Sequence, residues 1–308
     1  MVDYGIFFLT FVGIYGLLTL GLNLQWGLTG LFNIGIAGFF AVGSYVAAIV
    51  TTAPNPAHLG GLGWPIPVGL LAAMASAGIL ALAIGLLTIR LRSDYLAIAS
   101  IGIAEIIRLI LTNEDWLGNG VRGIPAIPRP FDGSDLAMLA VVVACVVLAY
   151  LALERARRSP WGRVLRAIRE REAAAEAMGK NVERFRLESF VVGSSIMGLA
   201  GALYAHFVGF ISPEAFEPGF ATFLIWVMLI MGGSGSNAGA LVGALLIMLI
   251  RTGTESAVRY LPPELVTQAG AMRVLLIGIL LQAVLLWRPE GLLPERLEIG
   301  RQDTKTVK

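Results

Sequence analysis

YGIFFLTFVGIYGLLTLGLNLQWGLTGLFNIGIAGFFAVGSYVAAIV, residues 4–50, contains no Asp, Glu, Lys or Arg, and the uncharged run continues to Ile89. Hydrocarbon solvates neither a charge nor an open backbone amide, so a stretch of this kind is stable in a bilayer only as helix. The apolar residues run on without alternating, and for far longer than a barrel strand of roughly 10 residues, which excludes a transmembrane barrel. Further uncharged runs cover Leu136–Leu153, Ser189–Pro213 and Pro218–Ile250. The whole chain agrees: 56% of its 308 residues are hydrophobic and 14% are charged, against about 25% charged in a soluble domain. Its mean hydropathy is +0.77. The fold class is therefore an all-α polytopic membrane protein, a single transmembrane domain over 1–308.

Several function classes drop out at once. The net charge of +2 says little by itself, and no aromatic-rich basic patch argues for nucleic acid. Cys145 is the single cysteine and lies in an apolar run, so no disulfide framework or cysteine metal site is expected. His58 and His206 are far apart, and no metal is expected. Asp3 stands where a cleavable signal peptide would be basic, so the first span is expected to be retained. The only Gly-Lys pair, Gly179-Lys180, is followed by Asn181 and has Ala174 where a phosphate-binding loop needs its first glycine. No G-x-S-x-G elbow or H-E-x-x-H pair occurs either, so no catalytic residue is assigned.

Breakers divide the runs into spans near 5–24, 28–52, 65–89, 95–112, 134–153, 187–208, 219–232, 237–252 and 271–288: nine, within a range of eight to ten. Segments 23–35 and 219–252 are short for full crossings and could be broken or re-entrant. Lys and Arg set the orientation. Segment 90–93, segment 154–188 and the tail from Arg288 together hold seventeen of the 23, whereas the loops on the other side hold only Arg122, Arg129, Arg251 and Arg259. With nine spans the three basic segments share one side. The N-terminus is thus expected to be periplasmic and the C-terminus, with the tail 289–308, cytoplasmic.

The 154–188 segment is the long cytoplasmic one. Ser159-Pro160 reads as a helix start, a hydroxyl cap followed by proline in the first turn. Trp161–Met178 is rich in helix formers, and Gly179 is a natural stop. Arg163, Arg166 and Arg169 form a basic flank, and Glu172, Ala173, Ala174 and Glu176 form a low-profile stretch that a partner's cleft could grip. A solvated basic loop lying on the membrane is the alternative. Glu105 and Arg108 share one helix face inside a span and can form an internal ion pair or meet substrate; Asn33 and Gln25 are further intramembrane polar candidates. The loop carrying Asn119, Gly120, Arg122 and Gly123 suits a gate, a docking turn or a plain connector. His206, beside Tyr204, marks the interface at the periplasmic side. Gly198 and Gly201, and Gly235, Gly239 and Gly243, are spaced for close helix packing, within the bundle or against a partner.

The residues also resemble a known family. Leu91-Arg92-Ser93-Asp94-Tyr95-Leu96, Ala104-Glu105-Ile106-Ile107-Arg108, Ser159-Pro160-Trp161-Gly162-Arg163, Gly198-Leu199-Ala200-Gly201, Phe210-Ile211-Ser212-Pro213-Glu214, Gly232-Gly233-Ser234-Gly235-Ser236 and Arg288-Pro289-Glu290-Gly291-Leu292 are similar, in order and spacing, to the LivM branch of branched-chain amino acid ABC transporter permeases. The resemblance covers roughly Gly21 to Pro294. It implies a permease pair with a LivH-like subunit, two cytoplasmic ATPases and a periplasmic binding protein in a bacterial inner membrane. ATP and Mg would be used by the ATPases, with no cofactor on this chain, and Glu172–Gly179 would be the coupling helix. Ile36 stands where many relatives carry histidine, and Asn119 and Arg122 interrupt a loop that is often Gly/Asn-rich. Urea, amides or other amino acids are therefore alternative cargoes. A self-sufficient secondary transporter or channel is the rival class; it would need no coupling helix and often carries internal repeats.

Overall fold

The computed structural model describes residues 2–54, 59–88, 93–130, 134–258 and 269–295. Ala57, His58, Arg90, Arg92, Arg259 and the tail beyond Glu295 lie outside them. The described residues form twelve α-helices: α1 (Val2–Leu22), α2 (Ile36–Thr51), α3 (Ile66–Thr88), α4 (Ser93–Asn113), α5 (Asp115–Gly118), α6 (Asp135–Arg158), α7 (Pro160–Glu170), α8 (Glu172–Ala177), α9 (Val182–Val208), α10 (Pro218–Gly232), α11 (Asn237–Val258) and α12 (Ala269–Trp287). Among the described residues there is no strand, only a single bridge between Ile124 and Ile211.

Seven described helices are long and apolar enough to cross a membrane, and α2 and α10 are shorter apolar helices. The span expected from about residue 28 begins only at Ile36, and segment 23–35 is broken, one of the alternatives expected for it. The first helix runs on from α1 through a π-helical turn, Asn23–Leu28, and then opens into non-helical chain until α2 begins at Ile36. The 16 residues of α2 rise only about 24 Å, less than the roughly 30 Å hydrocarbon core. Non-helical backbone is tolerated at membrane depth only inside protein or beside a cavity; here Thr29, Leu31, Asn33 and Gly35 are buried and Gly30, Phe32 and Ile34 half-buried.

The bundle is organised around α9, which packs on α1, α2 and α3. Contact with α2 is close because both helices present glycine: a Cβ on Gly43 would run into the Gly198 carbonyl, and one on Gly201 into Phe40 O and Ser44 N. Ser44 Oγ fills the seam by donating to Gly201 O at 2.8 Å. At the other end of the bundle Gly232 meets Gly239, and Gly243 meets Met228, across α10 and α11. The outward surface stays apolar, with Leu71, Ile79, Ile98, Leu148, Ile279 and Leu286 exposed. An apolar surface of this extent needs lipid or a partner to cover it.

Candidate functional site

Two neighbouring regions at one end of the bundle carry the candidate features. The first is the α7–α8 unit. Ser159 caps α7, its Oγ accepting from Gly162 N at 3.4 Å, and Trp161 Nε1 donates to Glu188 Oε2 on α9 at 2.8 Å. The single helix expected over Trp161–Met178 is divided: Arg171 adopts extended backbone (φ −151°, ψ 91°), and α8 turns away as a separate short helix. Ala175 buries itself with Ile168 and Val182, and the Arg186 guanidinium holds both oxygens of Glu172 at 2.6 and 2.8 Å. Gly179, at φ +75°, ends the unit as a left-handed cap, its N–H bonded to Glu176 O. This leaves Ala173, Ala174, Glu176, Ala177 and the apolar Met178 exposed on a fixed ridge.

The second region is the break between α1 and α2. Gln25 Nε2 donates to Phe190 O at 2.9 Å and to Ser194 Oγ at 3.0 Å; Asn33 Nδ2 donates to Gln25 Oε1 at 2.8 Å; and Asn33 Oδ1 accepts from Gly35 N at 2.8 Å. Asn33 is thus a fully buried brace of the broken segment. Deeper toward α6, Asn23 Nδ2 donates to Asn237 Oδ1 at 3.0 Å, and Asn237 Nδ2 donates to Glu154 Oε2 at 3.1 Å. Beside the break lies an apolar cavity of about 570 Å³, walled by Trp26, Phe32, Trp226, Ile230, Leu281 and Leu285. The Thr222 hydroxyl on its wall is buried with no hydrogen-bond partner. A polar cavity of about 630 Å³ adjoins it, lined among others by Gly30, Arg169, Glu290 and Glu295; the two share Trp26, Ser234 and Pro289. Together they form one recess that passes from apolar to polar walls.

The remaining predicted residues fall as follows. Arg163 is exposed, but Arg166 and Arg169 turn inward to Glu295, so the basic flank is not one outward surface. Glu105 and Arg108 pair as expected, Nε to Oε2 at 2.9 Å, on the flank of α4 with side chains 40% and 24% exposed, so the pair is not fully enclosed within this chain. In the loop at the opposite end, Asn119 (φ +62°) donates through Nδ2 to Gly123 O at 2.9 Å, and Ile124 pairs with Ile211. Gly120 also has positive φ and Arg122 is exposed. His206 is buried in α9, its Nδ1 2.8 Å from Pro128 O, and does not sit at an exposed interface. Gly239 and Gly243 pack as helix glycines, whereas Gly235 lies in the turn before α11 at φ +85° and is no part of that seam. No group of metal-ligating residues occurs among the described residues. Sequence reasoning missed Asn23, Asn237, Glu154 and Glu295; polar residues standing alone in or beside uncharged runs were the signal for the first two.

Comparison with known proteins places this geometry. The model of the branched-chain amino acid transport system permease component family matches residues 5–285. The chain is 34% identical to the high-affinity branched-chain amino acid transport system permease protein LivM of Escherichia coli K12, over 92% of this chain and 69% of that protein. It is 28% identical to the probable branched-chain amino acid transport permease protein LivM of Methanocaldococcus jannaschii, over 94% and 92%. The E. coli K12 permease protein LivH is 29% identical over 90% and 92%. No solved structure matches. A match over nearly the whole chain, joined to a polytopic helical bundle with a broken span, places the protein in the branched-chain amino acid transport permease family, in its LivM-type branch.

Proposed function

We propose that this chain is the permease subunit of an ATP-driven importer of branched-chain amino acids in the inner (cytoplasmic) membrane. In this reading it crosses the bilayer nine times, α2 with its extended lead and α10 included. The N-terminus is periplasmic, and α7, α8 and the C-terminal tail are cytoplasmic. It pairs with a LivH-like second permease, receives substrate from a periplasmic binding protein, and is driven by two ATPase subunits that bind the ATP and Mg. The second permease is supported by similarity to both LivM and LivH, because two homologous subunits can pack about a pseudo-two-fold axis. The recess beside the broken span is the passage wall that this subunit contributes. Glu105–Arg108, charged and half-exposed on α4, faces the second permease, since a charge pair facing lipid would be costly.

The observation that carries the reading is α8: a six-residue helix, alanine-rich, held rigidly by Ala175 and the Glu172–Arg186 pair, with its outer face open. A channel or secondary transporter has no use for such a ridge, whereas an ABC permease needs one for its ATPase to grip. Ala174 is exposed, so Ala174→Trp leaves the fold intact and obstructs only a partner. The variant is expected to insert and to pair with the second permease, while losing co-purification of the ATPases or substrate-stimulated hydrolysis in proteoliposomes. Normal association together with normal stimulated hydrolysis would overturn the assignment of α8. Uptake without any ATPase would overturn the ABC reading.

A further inference from the structure

We propose that Arg169 is a positioning residue for transport: one guanidinium joins the coupling unit to the broken span and to the chain after α12, and so carries a displacement of α8 into the wall of the passage. The inference rests on the ABC reading. Arg169 stands in the last turn of α7 and reaches away from the ATPase side. Its Nη1 donates to the Gly27 carbonyl, and its Nη2 lies 2.7 Å from Glu295 Oε2. Arg166 Nη1 adds a longer contact, 3.7 Å, to Glu295 Oε1.

Each partner is held by its own element. Gly27 lies in the π-helical turn where the first span ends; the N–H groups just beyond are used elsewhere, Gly30 N on Trp26 O and Leu31 N on Gln25 O. Carbonyls at a helix end need an outside donor, and for Gly27 it is Arg169. Glu295 is fixed because the chain before it is stitched to the end of α10, Leu292 N to Met231 O at 3.0 Å and Leu293 N to Gly232 O at 2.9 Å. The local sequence makes room for the contact. The Arg169 stem passes over Gly30, and any side chain on Gly235 would strike the Glu295 carboxylate. The Glu295 side chain is only 10% exposed.

The arrangement sits at the polar mouth of the recess, and a change in the mouth must move Arg169 or part it from a partner. On the other side, α8 follows α7 across the single extended residue Arg171, with Ala175 N bonded to Arg171 O. Pulling α8 therefore loads the bond to Gly27 and the ion pair to Glu295 together. A lysine has donors enough but lacks the planar fork that holds both partners in one fixed geometry.

The test uses the whole complex in proteoliposomes: this chain, the second permease, both ATPases and the binding protein. Hydrolysis is measured with and without substrate-loaded binding protein, beside uptake. Arg169→Ala is expected to leave basal hydrolysis in place while stimulation falls by roughly tenfold, within the range of a coupling free energy, and uptake falls with it. Arg169→Lys and Glu295→Gln should be intermediate. A purely structural role would lower basal and stimulated hydrolysis in step, and that result would overturn the proposal; so would normal stimulation in Arg169→Ala. Should Arg169→Ala fail to assemble, Glu295→Gln decides: lost stimulation on normal basal hydrolysis supports the proposal, and normal stimulation overturns it. A wild-type complex without ATP-dependent uptake would instead bring down the ABC reading, and this inference with it.

Discussion

At the scale of the residue, the polar groups at membrane depth serve mainly to hold backbone. Asn33 spends its amide on Gln25 and on the Gly35 N–H, and its own carbonyl accepts from Trp226 Nε1 at 3.1 Å. Replacing it leaves a buried acceptor and a buried donor unmet, at a cost of about 1–3 kcal/mol each. Asn33→Ala should therefore lower the melting temperature and the folded yield of the chain in detergent, and Asn33→Asp should do worse by adding a buried charge that cannot donate to Gln25. A stable Asn33→Ala chain that assembles normally yet fails to transport would reverse this conclusion and return Asn33 to the passage.

At the scale of the element, glycine decides which helices touch. Gly43 and Gly198 face each other across the α2–α9 seam, whereas Gly102 on α4 has nothing near its absent Cβ. Gly43→Val must force the two backbones apart, and overpacking of a fitted seam costs about 1–3 kcal/mol or more; Gly102→Ala should be neutral or slightly stabilising, alanine being the better helix former. Comparing the thermal stability of the two purified variants checks this, and equal loss in both would show that burial does not govern the effect. The same contrast explains what could be read in advance. The apolar runs exposed the long helices, and the three-residue spacing of Gly198 and Gly201 exposed the seam, because both are local patterns. A break within 23–35 was legible from its glycines and polar residues, but the start of α2 at Ile36 was not, since the chain is held open by distant partners such as Ser100, which receives the Ile34 N–H at 3.0 Å. The inward turn of Arg169 was hidden likewise: three arginines at helical spacing look alike until the position of Glu295, 126 residues away, is known.

At the scale of the whole molecule, the two ends of the bundle differ in kind, and that difference bears on orientation. One end gathers α7, α8, the break after α1 and the chain after α12, and it holds Arg155, Arg157, Arg158, Arg163, Arg166, Arg169, Arg171, Arg184 and Arg186. The other end is built of turns around the Ile124–Ile211 bridge and exposes Leu62, Trp64 and Trp116, with few cations. Basic residues accumulate in short loops on the cytoplasmic side, which sets the proposed direction. The α7–α8 end must also be cytoplasmic for an ATPase to reach α8, an argument independent of charge. A chain freed of its half-buried thiol by Cys145→Ser, then given Leu62→Cys or Glu176→Cys, separates the ends, since Leu62 is 54% exposed and Glu176 is exposed. A membrane-impermeant thiol reagent applied to intact cells should label position 62 directly and position 176 only after the membrane is opened. Labelling of 176 alone in intact cells would invert the molecule and remove α8 from any cytoplasmic ATPase. Labelling of both would mean that the number of crossings between them is even, and one of α3, α4 and α6 would then have to be re-entrant and not spanning.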